Sequence, residues 1–270
     1  MPEQDKALPV SSSRPPQFTA EQEQLFREVL EIFNASGIPY VVSGAFALHE
    51  HTGIWRDTKD LDLFLPDKEV PATLDLLTRH GFRTEICDPV WLCKVHRGDY
   101  FVDLISGMSN ATIRVDRSWI ERAGFSQVLG VPVRILAAEE LVASKIFVTR
   151  RERFDGADIA HIIYRAGRQM NWKRVLDLVG EHWEMLLWSL MLFHYVYPDS
   201  QVVPKWVWSD LLGKFISSLD NPPNSKHFRG SLIDDKMFAI DVREWNLPDL
   251  LQEFRNRVEA GAEQAKKPAA

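Results

Sequence analysis

A chain of 270 residues with 45% hydrophobic and 26% charged residues has the balance of a folded protein, which excludes a disordered, collagen-like or coiled-coil chain. Its 32 Lys and Arg against 38 Asp and Glu leave a formal net charge of −6, which argues against a protein that coats nucleic acid by bulk charge. The two cysteines, Cys87 and Cys93, fit no disulfide scaffold and no zinc or redox spacing; with no signal-like start and no apolar run of about 20 residues, the expectation is a soluble cytoplasmic protein without a membrane partner.

Taken in chain order, residues 1–17 mix Pro, Ser and charge and read as a flexible tail. Thr19 reads as a helix N-cap with Gln22 at the capping-box position, and Leu25, Phe26, Val29, Leu30 and Phe33 form the apolar stripe of a helix that Gly37 ends. A strand is expected over Ile38–Val42. The break Ser43-Gly44 precedes a short helix near Ala45–Glu50. The next strand is Asp60–Leu65, then a helix over Lys68–Arg79, strand pieces at Phe82–Ile86 and Val90–His96, a turn at Arg97-Gly98-Asp99, and a strand at Tyr100–Ile105. After Val131-Pro132-Val133 helical periodicity dominates to about Leu219. Within it, Trp183–Tyr197 is apolar nearly all round and reads as a buried helix. The break Asn221-Pro-Pro-Asn opens a loop and extension, and the end reads as a solvated tail. The expected organisation is a mixed α/β domain at 18–132, a helical domain at 133–219, a C-terminal extension at 220–259 and a tail at 260–270. The fold class is α+β, a mixed-sheet domain followed by a helical one.

The informative chemistry lies in Asp60-Leu-Asp-Leu-Phe-Leu65. Side chains alternate faces along a strand, so Leu61, Leu63 and Leu65 point into a core while Asp60, Asp62 and Phe64 point the other way. Asp is depleted in strands, and two carboxylates on one face repel each other unless cations or water lie between them. In Tyr100–Ile105, Asp103 shares a face with Phe101 and Ile105. Placed beside the first strand, it brings a third carboxylate to the same surface. Three hard-oxygen ligands of this kind suit Mg²⁺ or Mn²⁺. Upstream, Ser43-Gly44 follows an apolar strand and opens a helix, where glycine allows close approach and the helix N-terminus attracts phosphate.

Strand, small-residue turn, helix, then Arg56-x-Thr58-x-Asp60-x-Asp62 on a strand and a later strand acid, Asp103, resembles the nucleotidyltransferase superfamily. This is the polymerase-β-like fold of the minimal nucleotidyltransferases, the antibiotic-modifying enzymes and the abortive-infection toxin family. The resemblance covers mainly residues 38–105. It implies that Ser43 and Gly44 hold the triphosphate, with Ser where the family's turn usually begins with Gly. It also implies that Asp60, Asp62 and Asp103 are the catalytic acids and bind two metal ions, and that Arg56 and Thr58, which match the residues that often precede the paired acids, help to bind the nucleotide. Lys145 is added as a cation that reaches the nucleotide phosphates. Arg150, Arg151 and Arg153 are expected to pair with Asp155 and Asp158.

The implied activity is metal-dependent transfer of a nucleoside monophosphate from an NTP to an acceptor hydroxyl, with release of pyrophosphate. A small-molecule acceptor is favoured over tRNA or protein by the acidic net charge, and no DNA partner is expected. The alternatives are a non-catalytic nucleotide-binding or interaction module on the same fold, and a metal-dependent phosphohydrolase. His49 and His51, two apart, do not share a helix face and are not expected to bind metal. His161 reads as a buried structural histidine, and Trp183, Trp188, Trp206 and Trp208 read as core.

Overall fold

The structure is a computed structural model that describes residues 15–56, 58–221 and 228–265, with side chains to residue 260. Residues 1–14 of the expected tail at 1–17, and the last five residues, lie outside it. In chain order the first half is α1 (Ala20–Ser36), β1 (Val41–Val42), α2 (Gly44–Thr52), β2 (Leu61–Phe64), α3 (Val70–Arg79), β3 (Arg83–Asp88), β4 (Leu92–Arg97), β5 (Tyr100–Ile105), α4 (Arg117–Arg122), β6 (Gly124–Val128) and β7 (Val131–Ile135). The second half is α5 (Ala138–Lys145), the short ribbon β8 (Thr149–Arg150) and β9 (Arg153–Phe154), then α6 (Gly156–Ala166), α7 (Trp172–Val179), α8 (Trp183–Val196), α9 (Lys205–Asp220), α10 (Gly230–Ile233), α11 (Ala239–Arg243) and α12 (Leu250–Ala265). This is the expected α+β class.

Seven strands form one mixed sheet in the order β3-β4-β5-β2-β1-β7-β6. β2 runs antiparallel to β1 and parallel to β5, and β1 runs parallel to β7. The helical character expected from residue 133 therefore starts later, because β7 continues to Ile135 and pairs there with Val42.

Local sequence explains the elements that hold the sheet. The Thr19 hydroxyl accepts from the Gln22 N–H at 3.2 Å, and Gly37 ends α1 at φ 72°. The Gln22 side chain departs from the capping-box expectation. It donates to the Lys59 carbonyl at 2.9 Å and so ties α1 to the residue before Asp60. The stripe Leu25, Phe26, Val29, Leu30 and Phe33 is fully buried, as are Leu61, Leu63 and Leu65. Each such side chain is worth roughly 1.5–3 kcal/mol of burial. These residues meet on one side of the sheet, where α1 packs across β5 and β7. The opposite side is left to the polar residues of β2, β4 and β5 and to α2.

Two expectations are corrected in the helical half. α8 is not buried all round: Leu186, Leu187, Leu190 and Phe193 are buried, but Trp188, Met191, Tyr195 and Val196 are exposed. The reason is that α6, α7 and α9 pack against only part of its circumference. Trp206 is exposed as well, whereas Trp119 and Trp172 occupy the core. The expected tail also begins later, because α12 runs to Ala265. The C-terminal helices clasp both halves. Asn110 donates to the Leu232 carbonyl at 3.0 Å, Asp234 accepts the Arg151 N–H at 3.2 Å, and Arg255 reaches Asp88 and the Ser109 carbonyl.

Candidate active site

Backbone register assembles the acids. Asp62 on β2 is the direct partner of Asp103 on β5, so both project from the same face of neighbouring parallel strands. Asp60 lies two residues before Asp62, just ahead of β2, and its Oδ1 accepts from the Thr58 hydroxyl at 2.8 Å. The Ser43 N–H donates to the Asp62 carbonyl at 2.9 Å and extends the β1–β2 ladder to the turn. Three acids and the Ser43-Gly44 turn thus converge at the centre of the sheet.

Gly44 shows how tightly the turn meets the acid. Its φ is +59°, a conformation that side chains rarely adopt. A Cβ built there would lie 1.8 Å from Asp62 Oδ2. The turn must therefore be glycine on two independent grounds. Ser43 is buried and makes no side-chain cap bond, so the first N–H groups of α2 are not taken by its hydroxyl.

The electrostatics follow from this crowding. Burial, then the neighbouring charges of Asp60 and Asp103, pushes the Asp62 carboxyl up to about 7. Lys145 and Arg153 pull it the other way. Burial also raises Asp103, against the hydrogen bond and charge of Lys94. Lys94, on β4, belongs to none of the motifs in the sequence. Its Nζ donates to Asp103 Oδ1 at 2.6 Å. The signal for it lies in the hairpin: with Gly98-Asp99 as a two-residue turn, counting back from Arg97↔Tyr100 puts Lys94 opposite Asp103.

The remaining sequence candidates form a second cluster. Lys145 lies at the end of α5 with Nζ 2.6 Å from Asp155 and 2.9 Å from Asp158. Arg56 donates to Asp158 through Nε at 2.6 Å. Arg153 pairs with Asp155 at 3.0 Å, as expected, but Arg150 donates to Ser109 and the Arg151 N–H to Asp234. Burial works against the Lys145 charge, yet Asp155 and Asp158 hold its pKa above the ordinary value. Arg56 and Lys145 thus have their cationic ends on carboxylates, with Lys145 close enough to act on Asp62 electrostatically.

His51 Nε2 meets the Leu136 carbonyl at 2.7 Å and His49 stacks on Trp55, both structural arrangements. His161 is partly buried; burial and then Arg56 lower its pKa.

The family model described as "Nucleotidyl transferase of unknown function (DUF2204)" matches residues 22–184. The chain belongs to this nucleotidyl transferase family. The match runs from within α1 to the start of α8 and contains every acid and cation of the two clusters. Among solved structures, the chain is similar to the antibiotic-resistance factor ANT(2'')-Ia, with 16% identity over 67% of this chain and 100% of that one and a TM-score of 0.42. It is also similar to the lincosamide antibiotic adenylyltransferase LnuA, with 14% identity over 54% of this chain and 98% of that one and a TM-score of 0.36. JHP933 from Helicobacter pylori shares 14% identity over 92% of this chain and 98% of that one, with a TM-score of 0.35. No functionally curated protein matches.

As a donor set, three carboxylates on one sheet face fit a hard divalent ion. Their present arrangement is open. Among the described residues, no group of three His, Cys, Asp or Glu side chains is gathered to hold an ion, and one Asp103 oxygen is held by Lys94. No helix among the described residues is long and apolar enough to cross a membrane.

Proposed function

We propose that this nucleotidyl transferase moves a nucleoside monophosphate from an NTP to an acceptor hydroxyl and releases pyrophosphate, with Asp60, Asp62 and Asp103 as the catalytic acids. The observation that carries this reading is the direct pairing of Asp62 with Asp103 beside the Gly44 turn. Little else explains two carboxylates abreast on a sheet, one of them pressed by a helix N-terminus that would rather meet phosphate. Asp60, Asp62 and Asp103 would hold Mg²⁺ or Mn²⁺, which supplies a Lewis acid for the reacting phosphate and charge compensation for pyrophosphate.

The chain's own groups account for the rest. The N–H groups at the start of α2, with Ser43, take phosphate oxygens of the donor. Thr58 fixes the Asp60 carboxylate from one side at 2.8 Å. Asp103, whose carboxyl is raised by burial, receives the proton that the acceptor hydroxyl loses. Arg56 and Lys145 contribute positive potential from behind Asp62, through the Asp155 and Asp158 network. The net charge of −6 favours a small acceptor over a polynucleotide.

The test is incubation with each NTP and Mg²⁺ or Mn²⁺, following pyrophosphate release and the intact mass of the protein. Turnover should fall at least about 100-fold in Asp62→Asn and in Asp103→Asn. Nucleotide binding without pyrophosphate release would instead identify a binding module, and release of inorganic phosphate a phosphohydrolase.

A further inference from the structure

The acids are part of a longer row of charge. Across four strands of the sheet, Glu85 on β3 is the direct partner of Lys94 on β4, Lys94 of Asp103 on β5, and Asp103 of Asp62 on β2. Residues directly opposite in a ladder share a face. One face of the sheet therefore carries negative, positive, negative, negative in a straight line.

Lys94 could turn to either neighbour, and the structure shows why it turns inward. Glu85 is already engaged by His96, also on β4, at 2.9 Å and by Arg83, on its own strand, at 3.7 Å. The Lys94 ammonium instead lies 2.6 Å from Asp103 Oδ1 and 3.6 Å from the centroid of the Phe101 ring. Phe101 is two residues before Asp103 on the same face, so strand β5 supplies both the carboxylate and the aromatic surface that seat the cation. The side chains are largely withdrawn from water, at 22% and 12% exposure. An ammonium at this distance takes a lone pair of Oδ1 and offsets the charge that would attract a second cation.

We propose that Lys94 is a tethered counter-cation that competes with the divalent ion for Asp103, so that loading of the third carboxylate is weakened while the ammonium sits on Oδ1. The inference rests on the metal-dependent nucleotidyl-transfer reading above. Lys94 is a positioning residue: it acts through Asp103. Among the described residues, Asp60 and Asp62 have no such tethered ammonium as a hydrogen-bond partner. They have no tethered cation to compete with, and Asp103 is the acid that takes up an ion against one.

The experiment is Mn²⁺ binding to the full-length, metal-free protein without nucleotide, read by the electron paramagnetic resonance signal of free Mn²⁺. Lys94→Met keeps the stem on Phe101 and removes the charge. Lys94→Gln keeps a hydrogen-bond donor to Asp103 without the charge, and it decides the matter if the Met variant does not fold. Lys94→Arg keeps the charge. Both neutral variants should bind Mn²⁺ at least about tenfold more tightly than wild type, while Lys94→Arg stays within about threefold of wild type. Neutral variants that bind no more tightly than wild type overturn the inference alone; pyrophosphate release by wild type then tests the transfer reading separately. Absence of Mn²⁺ binding in wild type and every variant overturns the metal reading and the inference with it.

Discussion

The two charged clusters of this protein differ in balance. On the sheet, Asp60, Asp62 and Asp103 face, among the described residues, one directly bonded cation, Lys94. Behind them, Asp155 and Asp158 are bonded by Lys145, Arg56 and Arg153, so that the cations outnumber the acids. In the first cluster burial, and then the negative charges of Asp60 and Asp103, push Asp62 up to about 7. In the second, burial pushes against the Asp155 charge, but Lys145 and Arg153 hold its pKa below the ordinary value. Strongly perturbed acids cluster at functional sites, so charge balance marks the first cluster as the candidate site and the second as its support.

The sharpest way to break this comparison is to unbalance the second cluster. Lys145→Met removes a buried ammonium and strands Asp155 and Asp158. The expected loss is about 3–5 kcal/mol of stability, read from urea unfolding of the metal-free protein. A loss below about 1 kcal/mol, the range of an exposed pair, would mean that the cluster is not structural.

The complementary test relieves the first cluster. In the metal-free folded protein Asp62 holds its proton to about pH 7, while the unfolded residue loses it near its ordinary value of 3.8. Between those limits the folded state binds more proton. The Asp62 contribution is therefore fully present below about pH 4 and is lost as pH rises through about 7. Asp62→Asn should flatten that decline, so that the variant gains on wild type between about pH 5 and pH 8 in unfolding midpoint. An unchanged pH dependence would place the strain elsewhere.

The smallest effect is expected at Arg153→Gln. The Arg153 side chain is 68% exposed, and Asp155 retains Lys145 as a partner. The expected cost is under about 1 kcal/mol. Together with Lys145→Met, this variant separates the buried from the solvent-facing member of one network.

Much of the site is legible in the amino-acid sequence, because strand alternation alone puts Asp60 and Asp62 opposite Leu61, Leu63 and Leu65. Gly44 is legible as a turn. Its contact with Asp62 Oδ2 is not, since the two are far apart along the chain and meet only when β1 and β2 pair. Lys145 and Arg56 look, as sequence, like groups for the nucleotide, and nothing local foretells their seats on Asp155 and Asp158. That geometry depends on the packing of α2 and α5 against α6, which no local pattern encodes. The same limit explains α8. An apolar circumference shows what a helix would prefer to bury, whereas the number of neighbours that reach it is a property of the whole fold.

By itself, then, the sequence determined which residues alternate, cap and turn: the α1 stripe with Thr19 and Gly37, the Gly98 hairpin, and the in-phase acids of β2 and β5. These follow from short-range sterics and the periods of helix and strand, which act within a few residues. Only the tertiary structure decided which charges face each other. It set Asp62 beside Asp103, turned Lys94 inward toward Asp103, and enclosed Lys145 between Asp155 and Asp158. Coulomb forces and desolvation depend on distance and burial in space, and those quantities exist only once the strands have paired and the helices have packed.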